Sequence, residues 1–324
     1  MLELISVALP NYNGGLFLSE AINSILKQTY SEFELIIVDD ASVDNSVEII
    51  ESFEDKRIKL IKLKKNGGIV NALNTAINES KGGIIARMDS DDISHPERFE
   101  KCMNVFFQNP EVGVVGTWME TFGRDKQLWK YHDTNEKLKQ ELWFGSPIPH
   151  PASMFRVSVL REANIQYESD FPHMEDYLFF YNLSKFTSFY IVPEVLFNYR
   201  LHQSNITGLN RSSFQKRLIE IQSYILVDSR TFVPNRRFSE ILYQVSAGNI
   251  LHHSPSILLN WLRQFKMVVD NDDLQPVLNE KWKRMLYKIV DLRPFKGFVL
   301  AFRSGFLNFL FIKYFLTRVL GIKP

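Results

Sequence analysis

Three groups of carboxylates are spaced so that they could do chemistry: Asp39 with Asp40, Asp89 with Asp91 and Asp92, and Glu175 with Asp176. The densest lies in IIARMDSDDISHPERF, residues 84–99, where three carboxylates occupy four positions just after an apolar run. An Asp-x-Asp at a strand end suits Mg²⁺ or Mn²⁺, hard cations that take oxygen ligands from one or two carboxylates and fill the remaining shell with phosphate and water. Asp89 and Asp91 fit that role. A plainer reading has Asp92 or Ser94 capping a helix that Pro96 opens. Asp39 and Asp40 could accept hydrogen bonds from a base or from ribose hydroxyls, or Asp40 could cap the turn that follows it. Glu175 and Asp176, in HMEDY, could supply a base for an attacking hydroxyl, or simply favour a helix N-terminus electrostatically.

The elements that must position these groups are readable in the first hundred residues. LISVAL (4–9) is a short apolar run ended by Pro10, and FLSEAINSILKQT (17–29) follows with apolar residues at helical spacing. Leu35–Val38 is a continuous apolar run, as expected of a strand buried on both faces, with a helix after it capped by Asp44 or Asn45. IKLIKL (58–63) reads as a strand, GGIVNALNTAINES (67–80) as a helix, and GGIIARM (82–88) as the fourth strand. Four strand–helix units predict a mainly parallel sheet covered by helices, with ligands bound at the carboxyl ends of the strands. Three of the four strands end in polar residues: Pro10 to Asn13, Asp39-Asp40 and Asp89 to Asp92. The acidic groups would thus share one crevice and repel each other unless a cation or a donor sat between them.

Beyond residue 109 the pattern is mixed, with strands expected at VGVVGTWME and at 189–202 and a helix at 173–186 that carries carboxylates in its first turn. From about 210 the chain becomes a run of helical segments. No internal repeat or low-complexity stretch is present. With 38 Lys plus Arg against 37 Asp plus Glu, the net charge of +1 gives no general attraction for nucleic acid. The single cysteine, Cys102, excludes an internal disulfide framework and suits a reducing compartment. MLELISVALPNYNGG lacks a basic start and a long apolar run, so no signal peptide is expected and the catalytic part is expected in the cytoplasm.

The stretches ISVALPNYNGG through IIVDDASVDNS, NGGIVNALNTAI and IIARMDSDDISHPERF, continued by IPHPASMFR, MEDYLFFYNL and YRLHQSNIT, together resemble the family 2 glycosyltransferases. The resemblance covers roughly residues 3–207. It implies an inverting, metal-dependent hexosyltransferase of the GT-A fold, an α/β, Rossmann-like architecture of bacterial cell-surface polysaccharide type. On it, Pro10 and Tyr12 would line the base pocket, Asp40 would bind the base and Asp39 would support it. Asp89 would lie near ribose and metal, Asp91 would hold the metal, and His202 matches a position that joins the metal or the diphosphate. Arg87, Asn66 and Gly68 would add donors near the nucleotide. Asp176 would be the catalytic base, with Glu175 beside it against acceptor or donor sugar, and His150 would sit near the acceptor cleft. The implied substrates are a nucleotide-sugar, a UDP-sugar first, and a saccharide acceptor, polyprenyl-linked among the options.

Two other classes compete. A catalytically silent nucleotide-sugar-binding subunit would survive loss of Asp176. A phosphatase of the haloacid-dehalogenase type also uses Asp-x-Asp after a strand, but there the motif runs on to Thr or Val, whereas Asp92 and Ile93 follow Asp91 here. The expected division is a catalytic domain over 1–208 and a helical region over 209–324. After Asp291 no acidic residue occurs, and Arg293, Lys296, Arg303, Lys313 and Arg318 fall on one arc opposite Phe302, Phe309, Ile312, Leu316 and Val319. That pattern predicts a basic amphipathic helix lying at the inner face of the plasma membrane, or packing as a terminal core helix.

Overall fold

The computed structural model describes residues 3–202, 211–229, 234, 236–246, 255–268, 275–292, 294–306, 311–312 and 314–315. The chain divides into two compact units: Met1–Lys139 with Ser146–Arg211, and Gln140–Gly145 with Ser212–Pro324.

In the first unit, strands β1 (Ile5–Asn11), β2 (Phe33–Asp39), β3 (Ile58–Lys62) and β4 (Ile84–Arg87) alternate with helices α1 (Gly15–Leu26), α2 (Ser46–Glu51) and α3 (Gly68–Asn78). All four strands are parallel, with β1 between β2 and β4 and β3 outside β2. Ile5, Val7, Leu9, Leu35, Ile37 and Ile84 are fully buried, which accounts for the uninterrupted apolar runs. The register sets Asn11 opposite Asp39 and Ala8 opposite Arg87, so the polar strand ends line up along one edge.

The second half of the sheet is mixed. After β5 (Ile93–Ser94) come α4 (Arg98–Gln108), β6 (Val112–Gly123), β7 (Leu128–Trp129), α5 (Asn135–Glu141), a 3₁₀ turn at His150–Ala152, β8 (Met154–Arg156), α6 (Val157–Ala163), α7 (Glu175–Ser184) and β9 (Ser188–Leu201). The order is β3-β2-β1-β4-β8-β6-β9-β5, with β7 on β6. Strand β8 runs antiparallel to both β4 and β6, while β6 and β9 pair in parallel along most of their length.

Helix α4 begins at Arg98, and neither Asp92 nor Ser94 caps it. Its Phe99 N–H instead donates to Gln28 Oε1 at 3.0 Å, and Gln28 Nε2 donates to His95 O at 2.7 Å. Asp92 is fully buried with a different task, described below. Arg98 is also fully buried, donating to the Arg87 and Pro151 carbonyls at 3.1–3.2 Å with its guanidinium over Phe99 and Phe197. Burial pulls its pKa down to about 10. Arg98→Ala leaves two buried carbonyls without donors and opens a cavity under the acidic loop. The expected loss is about 3–4 kcal/mol of stability, read by denaturant unfolding.

The second unit holds α8 (Arg211–Asp228), α9 (Arg236–Ser246), α10 (Pro255–Val268), α11 (Gln275–Leu292) and α12 (Pro294–Ser304). Its core gathers Trp261, Phe265, Trp282, Leu286, Val290 and Leu300, and Phe144 joins it. The single terminal helix expected from the charge pattern is interrupted: α12 stops at Ser304, and Gly305 takes a left-handed φ of +78° that ends the helix. Phe302 is 67% exposed, while Phe311 and Phe315 are buried. Arg293, Phe309, Lys313, Leu316, Arg318 and Val319 lie outside the described residues. Among the described residues no helix is long and apolar enough to cross a membrane.

Candidate active site

The aligned strand ends open onto a cavity of about 520 Å³, a size ordinary for small-molecule sites. Of the residues singled out from sequence, Pro10, Tyr12, Asp40, Asn66, Gly68, Asp89, Asp91 and Glu175 line it. Asp39, Arg87, Asp176 and His202 stand behind or beside that lining.

At the β1–β2 end, Asp39 accepts from Asn11 Nδ2 at 2.9 Å and from the Ser42 backbone and hydroxyl at 3.0 and 2.6 Å. It is therefore Asp39, and not Asp40, that closes the following turn. Asp40 is buried, and its two oxygens each accept one backbone N–H, from Gly67 and Gly68, at 2.8 Å. Gly68 sits at φ +81°, which a side chain would disfavour, so the turn that opens α3 is locked to the end of β2. A carboxylate has about four acceptor positions, so each Asp40 oxygen keeps one for a ligand N–H. Tyr12, 52% exposed, stands at the mouth. Two non-glycine residues here, Asn13 and Ala41, also have positive φ, strain of a kind that collects at binding sites.

At the end of β4, Arg87 is buried and forms an ion pair with Asp89. Burial raises the Asp89 carboxyl pKa against the pull of Arg87, and Asp91 adds to the rise. Asp92 is pushed well up by burial and by its two acidic neighbours; its Oδ1 accepts the Arg200 N–H at 2.7 Å. His202 Nε2 lies 2.8 Å from Asp91 Oδ2, its ring against Phe17.

This donor set fits a divalent cation. Carboxylate oxygens of Asp89, Asp91 and Asp92 fall within 4.8 Å of one another, and Asp92 Oδ2 is buried without a hydrogen-bond partner. Oxygen-rich ligation with one imidazole suits Mg²⁺ or Mn²⁺. Arg200, which sequence reading passed over, supports the set: it bonds Asp92 through its N–H, the Asp91 carbonyl through Nε at 2.7 Å and Glu20 at 2.8 Å. Its signal was position, two residues before His202 at the end of β9, and the Arg200 guanidinium and the His202 ring both lie against Phe17. Arg200→Ala removes the donor to the Asp91 carbonyl while the backbone bond to Asp92 stays, and Mn²⁺ affinity is expected to fall about tenfold, read by calorimetric titration.

Glu175 and Asp176 open α7, which brings Glu175 into the lining of the same crevice with Asp176 next to it in the chain. Asp176 Oδ1 accepts its neighbour's Tyr177 N–H at 2.8 Å. Burial, and then the charge of Glu175, lift the Asp176 pKa to about 7. A carboxyl poised there can take up a proton near neutral pH. Behind it, Tyr167 stacks on Phe179 of α7 at 4.0 Å, and its backbone N–H and carbonyl are both held by the Asn74 amide of α3. His150 belongs to this packing: its Nε2 meets the Tyr167 hydroxyl at 2.8 Å, and burial keeps its pKa well below the ordinary range, so the ring is neutral. No sequence pattern announced Asn74 or Tyr167.

A model of glycosyl transferase family 2 matches residues 6–163. An uncharacterized glycosyltransferase of Haemophilus influenzae is 32% identical over 219 residues, which are 64% of this chain and 68% of that one. For other curated relatives the chain spans about half or less of their length. Among solved structures, S. aureus TarS 1-349 in complex with UDP-GlcNAc superposes with a TM-score of 0.62 at 14% identity, over 98% of this chain and 90% of that one. A mannosyltransferase from Pyrobaculum calidifontis, in complex with GDP-Man and Mn²⁺, superposes with a TM-score of 0.54 at 14% identity, over 98% and 88% of the two chains. These likenesses establish a shared GT-A fold.

Proposed function

The chain belongs to glycosyl transferase family 2, and from there we propose that it moves a sugar, with inversion, from a nucleotide-sugar to a saccharide acceptor in polysaccharide or lipopolysaccharide assembly. One observation supports this: one crevice is lined by a clasped glycine turn, by Asp89 and Asp91 of a cation-type carboxylate cluster and by Glu175, whose chain neighbour Asp176 is held at about 7.

In this reading Pro10 and Tyr12 flank the base, Asp40 accepts its N–H, and Asp39 keeps the supporting turn closed. Asn66 and Gly68 donate near the nucleotide, Asp89 faces the ribose, and Arg87 holds Asp89 in place. Asp91 and His202, with Asp89, would hold Mg²⁺ or Mn²⁺, which when bound neutralises charge on the departing diphosphate. Asp176 takes the acceptor hydroxyl proton as that oxygen bonds to the anomeric carbon. The bond from that carbon to the diphosphate oxygen breaks, and its electron pair leaves with the nucleoside diphosphate. Attack from the face opposite the leaving group inverts the configuration. Glu175, which lines the cavity, orients sugar hydroxyls.

UDP-sugars are the first donors to try, since the S. aureus neighbour was solved with one. The same reading sets the second unit against the inner face of the plasma membrane. It is supported by Val299, Phe302 and Arg303 at helical spacing on the exposed side of α12.

The test is release of nucleoside diphosphate by purified protein across a panel of UDP-, GDP- and dTDP-sugars, with Mn²⁺ or with EDTA. Release from one donor that EDTA abolishes supports the proposal. Inorganic phosphate without sugar transfer, or nucleotide binding without turnover under any acceptor mixture, overturns it.

A further inference from the structure

The second unit has a cavity of its own, about 400 Å³, lined by Leu259, Asn260 and Arg263 of α10 and by Arg303 of α12. The two helices pack together, and neither contains an acidic residue. Asn260 and Arg263 lie one turn apart on the exposed side of α10, and Arg303 lies on the exposed side of α12. Among the described residues neither guanidinium has an ion-pair or hydrogen-bond partner. Two like charges that line one cavity repel each other unless an anion sits between them. A guanidinium presents a planar fork of N–H donors that matches a phosphate, and the Asn260 amide adds a further donor.

The rim points to the source of that phosphate. Phe302, next to Arg303, is 67% exposed, and Val299, one turn earlier on the same side of α12, is 41% exposed. A dissolved phosphate gains nothing from these two groups. A lipid, in contrast, carries its phosphate at the edge of hydrocarbon, where an aromatic and a branched side chain can enter beside it. We propose that this cavity binds the phosphate of an anionic membrane lipid, clasped between Arg263 and Arg303 while Phe302 and Val299 enter the acyl boundary. The proposal rests on the membrane placement in the reading above, to which it gives a specific contact, and does not depend on the transfer chemistry.

The experiment is flotation of the full chain with vesicles of phosphatidylcholine alone or of equal parts phosphatidylcholine and phosphatidylglycerol. Wild-type protein is expected to float with the mixed vesicles and to stay behind with phosphatidylcholine. A cation at an anionic bilayer surface is worth about fivefold in affinity, so Arg263→Gln combined with Arg303→Gln should weaken binding about thirtyfold. Phe302→Ser should weaken it about tenfold at unchanged charge. Arg284→Gln combined with Lys216→Gln removes the same charge from exposed positions on α11 and α8 and should cost less than about threefold. A melting temperature unchanged from wild type shows that each variant folds. Equal loss in the control pair means that net charge alone drives binding, and overturns the site. Inorganic phosphate that binds the wild type in calorimetry and not the double variant, with no flotation on mixed vesicles, assigns the cavity to a dissolved anion and overturns the lipid. Wild-type protein that floats with neither vesicle and binds no phosphate overturns the site and the membrane placement together, while nucleoside diphosphate release, measured separately, still decides the transfer reading.

Discussion

Asp176→Asn is expected to lower kcat about a thousandfold with a donor Kd within about twofold of wild type, because it removes a proton acceptor and leaves shape and hydrogen-bonding size in place. The pH dependence should change with it. In the proposed role Asp176 works unprotonated, and burial with Glu175 holds its pKa at about 7. Wild-type kcat should therefore climb tenfold per pH unit below about 7 and level off above it, whereas the variant's residual rate should be flat over that range. The same shift has a stability consequence of opposite sense. A carboxyl whose pKa is raised in the folded state binds its proton more tightly there than in the unfolded chain. Stability from it is present at low pH and is lost as pH rises through 7. The asparagine variant carries no such charge, so it should melt higher than wild type at pH 8, with the advantage fading toward pH 5. A variant that keeps full transfer activity would remove Asp176 from the mechanism.

Asp91→Ala is expected to cost about as much, by a different route. Asp91 meets His202, reaches Asp89 and Asp92 within the same cluster, and shares its backbone with the Arg200 clamp. Without its carboxylate, Mn²⁺ titration should lose its high-affinity step, and turnover should fall about a thousandfold, a loss of several kcal/mol in stabilisation of the leaving diphosphate. The decisive comparison adds EDTA: it should abolish wild-type activity and leave the variant's residue of activity unchanged. If chelation spares the wild type, the cluster is structural. Asp91→Asn separates charge from size and should fall near the alanine variant.

What could be read from sequence follows from how local each feature is. β1 to β4 are contiguous apolar runs that end in polar residues, so the first half of the sheet and the acidic edge were legible. The placement of β8 between β4 and β6 was not, because three residues, Met154–Arg156, carry no periodicity that distinguishes a central strand from a loop. Asp92 reads as a helix cap by its distance from Pro96, yet the fold spends it on Arg200, 108 residues away. Arg98 looks like a solvated helix residue and is fully buried, since its partners are carbonyls that no side-chain pattern reveals. The terminal charge pattern spans a break it could not reveal: α12 stops at Ser304 before the left-handed Gly305, and most of the residues that made the pattern lie outside the described ones.

One consequence of β9 concerns how such a chain can change over time. Tyr199 faces the Trp129 ring, while Arg200 and His202 serve the acidic cluster, and neighbouring positions on a strand face opposite ways. Substitution at the aromatic position can therefore alter the contact with Trp129 while the next residue's work continues undisturbed. Gain or loss of a single residue just before it would exchange the two faces and ruin both. This strand end tolerates replacement and forbids insertion, so variation among descendants should accumulate there as changes of side chain at constant length.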